Sequence, residues 1–135
     1  MNIYENAEYW YTVAHKSYDI KEYRACVFHC CLSAELFFKS CVDMIDPNKD
    51  YQSHDIVSLY RIVQGKFIPK QNLYPIVTHF RKYFNEARYP SGGKDVYDDK
   101  FAKEFLIYLK TIKNYIDDEC HISIEDLQNK YKRNK

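Results

Sequence analysis

The stretch from Lys21 to Ile45, KEYRACVFHCCLSAELFFKSCVDMI, constrains this chain more than any other. It holds no glycine and no proline, and its apolar residues are too many to fit on one face. At about 100° per residue, Cys26, Cys30, Ala34, Phe37 and Cys41 share one side, and Val27, Phe38 and Ile45 widen that stripe. Phe28, Leu32 and Leu36 form a second row at i, i+4, i+8. A helix apolar over so much of its girth must be covered by several neighbours. At about 1.5 Å per residue it is about 37 Å long, the spine of a small helical bundle.

The rest of the chain supplies those neighbours. Asn2 and Glu5 have the spacing of a capping box. Tyr4, Ala7, Trp10, Tyr11, Ala14 and Tyr18 then recur at helical spacing and predict a helix over residues 3–18. Asp19 is expected to cap the spine, and Asp46-Pro47-Asn48 to end it. Ser53 opens a third helix with Ile56, Leu59, Tyr60 and Val63 on its buried face, and Gly65 is expected to stop it. Asn72 caps a fourth helix whose first turn takes Pro75. Its stripe runs through Leu73, Ile76, Val77, Phe80, Tyr83, Phe84 and Ala87, before Arg88-Tyr89-Pro90-Ser91-Gly92-Gly93 breaks it. Asp98 caps a fifth, with Phe101, Phe105, Tyr108, Leu109, Ile112 and Ile116 as its face. The expected fold is all-α, an up-and-down antiparallel bundle of about five helices over residues 1–120. A short last helix carrying Ile124, Leu127 and Tyr131 follows over 121–135, with a basic tail of Lys130, Lys132, Arg133 and Lys135.

Composition narrows the function classes. A chain of 135 residues forms one domain with a real core. A net charge of +1 gives it no overall pull on nucleic acid or membrane. No apolar run approaches the 18 or so residues of a membrane span, and MNIYENAEYW lacks the layout of a secretory signal. Four of the five cysteines, Cys26, Cys30, Cys31 and Cys41, lie on the spine and read as small apolar residues; the fifth is Cys120. Their odd number points to a reducing cytosol. No Cys/His spacing suits zinc, and neither a phosphate-cradling glycine loop nor an H-E-x-x-H pair is present, so no metal and no cofactor is expected.

Three stretches resemble the HEPN domain, a small helical bundle of many prokaryotic proteins. Arg24 to Phe28 and Ala34-Glu35-Leu36-Phe37-Phe38-Lys39 are similar to that family's second helix. Ser53-His54-Asp55-Ile56-Val57-Ser58-Leu59 is similar to its Thr-His-Asp-Leu-x-x-Leu segment. Ala87-Arg88-Tyr89-Pro90 matches the tetrapeptide of one of its branches. On physical grounds alone, Glu35 and Lys39 are at i, i+4 and suit a surface pair worth about 0.3–0.5 kcal/mol. His54 is either a structural hydrogen-bonder or part of a polar pocket, and Tyr89 either stacks on a base or plugs the bundle end.

The resemblance implies three readings. HEPN ribonucleases carry Arg, four to six residues, then His; counting from Arg88, those positions hold Gly93, Lys94 and Asp95. The one literal match, Arg24 to His29, lies inside the spine. Five arginines and five histidines give about half a match by chance, and residues five apart on a helix point about 140° apart. No catalytic residue is therefore assigned. The favoured reading is a non-catalytic nucleotide-associated or partner-binding subunit with Arg88, Tyr89, Lys94 and His54 as ligand-binding residues. The resemblance implies a minimal nucleotidyltransferase as partner in a toxin–antitoxin-like pair, with a nucleotide or RNA as ligand. The alternative is a metal-independent ribonuclease toxin. The third is a plain homodimerising helical module, paired through Phe28, Leu32 and Leu36, and a homodimer is expected under the favoured reading as well.

Overall fold

The computed structural model describes residues 2–47, 55–88 and 96–120, with Arg88 described by its backbone alone. Five α-helices run through them: α1 (Ile3–Asp19), α2 (Tyr23–Ile45), α3 (Ile56–Lys66), α4 (Tyr74–Arg88) and α5 (Asp99–Asn114). A π-helical turn, Tyr115–Glu119, continues α5. Among the described residues there is no strand. The all-α bundle is the one that the apolar periodicity predicts.

Local chemistry explains most helix ends. Asn2 Oδ1 accepts from the Glu5 N–H at 2.7 Å while its Nδ2 donates to Glu5 Oε1 at 3.0 Å, an N-cap held by a side-chain pair at capping-box spacing. Asp55 caps α3 through the Val57 N–H at 3.1 Å, and Asp98 caps α5 through the Phe101 N–H at 2.8 Å. Asn72 accepts from the Tyr74 N–H at 3.0 Å, one residue ahead of Pro75. Ser53 lies outside the described residues, as does the short helix expected beyond Cys120.

Two expected ends are corrected. Asp19 is the last residue of α1 and does not cap α2, which starts at Tyr23 with no side-chain cap. The link is instead a Schellman turn: Glu22 N–H donates to Ser17 O and Lys21 N–H to Tyr18 O, each at 2.9 Å. Lys21 takes the left-handed position at φ 64°. Gly65 does not stop α3, which continues to Lys66. Phe67 follows the helix and packs on the core, its N–H bonded to Val63 O at 2.8 Å.

α2 runs through the middle and touches each of the other four helices. Cys26, Val27, Cys30, Cys31, Ala34, Phe37, Phe38, Cys41 and Val42 are all buried. Small residues bring α1 close, so that Ser33 Oγ donates to Ala7 O across the helix pair at 2.7 Å. All five cysteines are buried and free. α2 alone among the described helices has the length and apolarity of a membrane span, at a mean hydropathy of 1.4, yet 67% of that window is buried by the bundle. One stripe of it stays half-exposed: Ala25, Phe28, Leu32, Leu36 and Lys39.

A bundle sealed in this way must also tie its ends. Tyr4 OH donates to Asp117 Oδ1 at 2.6 Å, and Lys113 Nζ lies 2.5 Å from Asp117 Oδ2 and 3.7 Å from Glu8 Oε2. Burial raises the Tyr4 pKa, and the Asp117 hydrogen bond raises it further, so its hydroxyl keeps the proton it donates.

Candidate ligand site

Where α2, the start of α3 and α4 diverge, they leave a cavity of about 510 Å³. Cys31, Leu32 and Glu35 face it from α2, Asp55 and Ile56 from the start of α3, and Phe80, Arg81, Phe84 and Asn85 from α4. The α4 wall is built from two i, i+4 pairs: Phe80 with Phe84, and Arg81 with Asn85. Arg81 and Asn85 are exposed at the rim, Phe84 is half-buried, and Phe80 is fully buried.

Glu35 is not the surface carboxylate that its i, i+4 spacing suggested. It is buried, and Lys39 Nζ stands 3.3 Å from its Oε2 with only 16% of the Lys39 side chain exposed. The pair is a desolvated one at the side of the cavity. Asp55, half-buried, spends its oxygens on the Val57 N–H and, at 3.0 Å, the Ser58 hydroxyl, which fixes the carboxylate at the head of α3. Burial, aided by the Glu35 charge, pushes the Cys31 thiol well above its ordinary range. Its Sγ–H is directed to Phe80 O at 3.8 Å, so Cys31 is a neutral wall group and no nucleophile.

Of the ligand residues expected from sequence, His54, Tyr89 and Lys94 lie outside the described residues, and Arg88 ends α4. Their described neighbours are informative. Asp55, which follows His54, lines the cavity, and Ala87, which precedes Arg88, is buried with its carbonyl accepting from Arg24 Nε at 2.6 Å. Two of the resembling stretches, on α2 and at the head of α3, therefore line the cavity, while the third starts at Ala87, beside the first turn of α2.

Arg24 and His29 part company. Arg24 reaches the end of α4, whereas His29 turns to α1, stacking on Trp10 at 5.3 Å with Nδ1 2.9 Å from Ser17 Oγ. The Ser17 hydroxyl donates to Val13 O at 2.9 Å, which leaves Nδ1 as the donor to Ser17. Burial lowers the His29 pKa and keeps the ring neutral. The two residues aim at no common point within one chain.

Sequence reasoning missed an aromatic band that runs from Tyr9 and Trp10 on α1, through His29 and Phe28 on α2, to Phe84 at the cavity. It missed Arg81 and Asn85 as well. The i, i+4 repeats were visible, but which helix faces meet was not. Among the described residues no three His, Cys, Asp or Glu side chains cluster as metal ligands.

The family model of the HEPN domain matches residues 2–119 of the chain. No curated protein and no solved structure matches it.

Proposed function

The chain belongs to the HEPN domain family, and on that premise we propose that it is a non-catalytic, nucleotide-associated subunit. The observation that carries the reading is that two family-like stretches, through Glu35 and through Asp55 and Ile56, line one cavity of about 510 Å³. The volume falls within the about 300–1,000 Å³ range of small-molecule sites, and the wall combines an apolar floor with a few fixed polar groups. His54, Arg88, Tyr89 and Lys94, adjacent in sequence to Asp55 and Ala87, complete the ligand-binding set in this reading.

Further parts of the proposal follow from the same premise. The half-exposed row of Phe28, Leu32 and Leu36 is the contact surface of a homodimer. A minimal nucleotidyltransferase is the partner, in a toxin–antitoxin-like pair within the cytoplasm. The five free thiols accord with a reducing compartment.

The test is a thermal-shift series with nucleotides and short RNA, the RNA being checked for integrity afterwards. The expected result is a nucleotide-dependent rise in melting temperature that is lost in Arg88→Ala or Tyr89→Ala, with the RNA intact. RNA cleavage abolished by His29→Ala would overturn the non-catalytic reading and make the protein a ribonuclease.

A further inference from the structure

We propose that Arg81, with Asn85 one turn further on, is the phosphate clamp of the cavity between α2, α3 and α4, an inference that rests on the nucleotide reading above. Neither residue belongs to the set of His54, Arg88, Tyr89 and Lys94 that the sequence suggested.

Most polar groups around the cavity are already committed. Lys39 Nζ stands 3.3 Å from Glu35 Oε2. Asp55 holds the Val57 N–H and the Ser58 hydroxyl, and the Cys31 Sγ–H is directed to Phe80 O. Two further cations of the same helices are engaged elsewhere. Arg24 Nε donates to Ala87 O, and Lys82 Nζ lies 5.3 Å from the centre of the Tyr83 ring. Arg81 is different. It faces the cavity from the exposed rim, and its side chain makes no hydrogen bond or ion pair with any described residue. Asn85 shares both the position and the freedom.

A guanidinium is a rigid planar fork of donors, and its best counterpart is the paired oxygens of a phosphate or carboxylate. At i, i+4 the two Cβ atoms are about 5–6 Å apart, so fork and amide can reach neighbouring oxygens of one phosphate. Beside them Leu32, Ile56, Phe80 and Phe84 supply an apolar, partly aromatic surface for a flat ring. The ligand that satisfies both parts places a ring inward and an anion at the rim. In a nucleotide these are the base and the phosphate joined to its sugar. The cavity therefore separates nucleotides from nucleosides, and the separation comes from α4.

The test is calorimetric titration of the full chain with AMP, GMP, CMP and UMP and with the matched nucleosides, repeated for Arg81→Ala and Arg81→Lys. Arg81 is exposed within a helix, where alanine and lysine are both good formers, so each variant keeps its fold. For the best-bound base, the phosphate is expected to raise affinity about tenfold or more. That ratio falls toward about one in Arg81→Ala, and stays reduced in Arg81→Lys, which keeps the charge and loses the fork. A merely structural Arg81 would lower nucleotide and nucleoside affinity together. An unchanged ratio thus overturns the clamp and leaves the nucleotide reading standing, as does a ratio near one in the unaltered protein. No binding of any nucleotide overturns both. Where nucleosides bind too weakly to measure, the Arg81 Nε–H resonance decides: a bound mononucleotide must shift it, and an unmoved resonance refutes the clamp.

Discussion

Lys21 is an ordinary side chain in a glycine's place. Its left-handed backbone closes the Schellman turn between α1 and α2, and for an L-residue with a Cβ that region costs about 1–2 kcal/mol. Glycine removes that cost but adds freedom to the unfolded chain, worth about 0.4–1 kcal/mol. The balance predicts that Lys21→Gly stabilises by about 0.5–1 kcal/mol, read as a higher urea midpoint with an unchanged slope. His79 makes the opposite kind of compromise. Its ring stacks on Phe105 at 5.0 Å and meets Tyr83, Phe101 and Tyr108 edge-on. Burial lowers its pKa from the ordinary 6.5, Lys82 adds to the shift, and Glu104 opposes it. A group with a folded pKa below its unfolded value gives its full stability above the unfolded pKa and loses it as pH falls through the folded one. The melting temperature should therefore drop between about pH 7 and about pH 5, and His79→Phe should make that drop shallower. His29, shifted the same way by burial, leaves a residual slope in that variant.

Among the helices, α4 and α5 were the most legible, because an asparagine or aspartate cap opens each and a single apolar stripe follows. α3 was misjudged at Gly65 because a glycine near the end of a periodic run reads as a stop, while contacts far away in sequence decided otherwise. Phe67 is held onto the core, its carbonyl accepting from the Tyr115 hydroxyl, and that anchor carries the helix past the glycine. A Cβ built on Gly65 meets nothing within 4 Å. Gly65→Ala should thus stabilise α3 by about 0.5–1 kcal/mol, measurable as a rise in melting temperature. Glu35 and Lys39 were misjudged for a related reason. Spacing shows that two side chains meet, but not that α2 is enclosed on most of its sides.

At the scale of the molecule, the spine was legible from its excess of apolar residues, and its buried face agrees residue by residue with the stripe of Cys26, Cys30, Ala34, Phe37 and Cys41. The cavity was not, because it opens between three helices that touch elsewhere along their lengths, and no local pattern encodes a gap. Phe37 tests the spine most directly: it is fully buried and packs edge-on against Tyr4 at 5.7 Å. Phe37→Ala is expected to cost about 3–5 kcal/mol, seen in chemical denaturation, a large part of a small domain's stability. The clasp between Tyr4 and Asp117 joins residues 113 apart, and it has a consequence in time. On a ribosome adding about 5–20 residues per second, the α1–α2 hairpin can form soon after Ile45 has emerged, but Asp117 follows 72 residues later, after about 4–14 s. Over those seconds the most apolar of the described helices gains its remaining covers one at a time, α3, then α4, then α5, and until the last has formed part of its apolar girth stays open to neighbouring molecules.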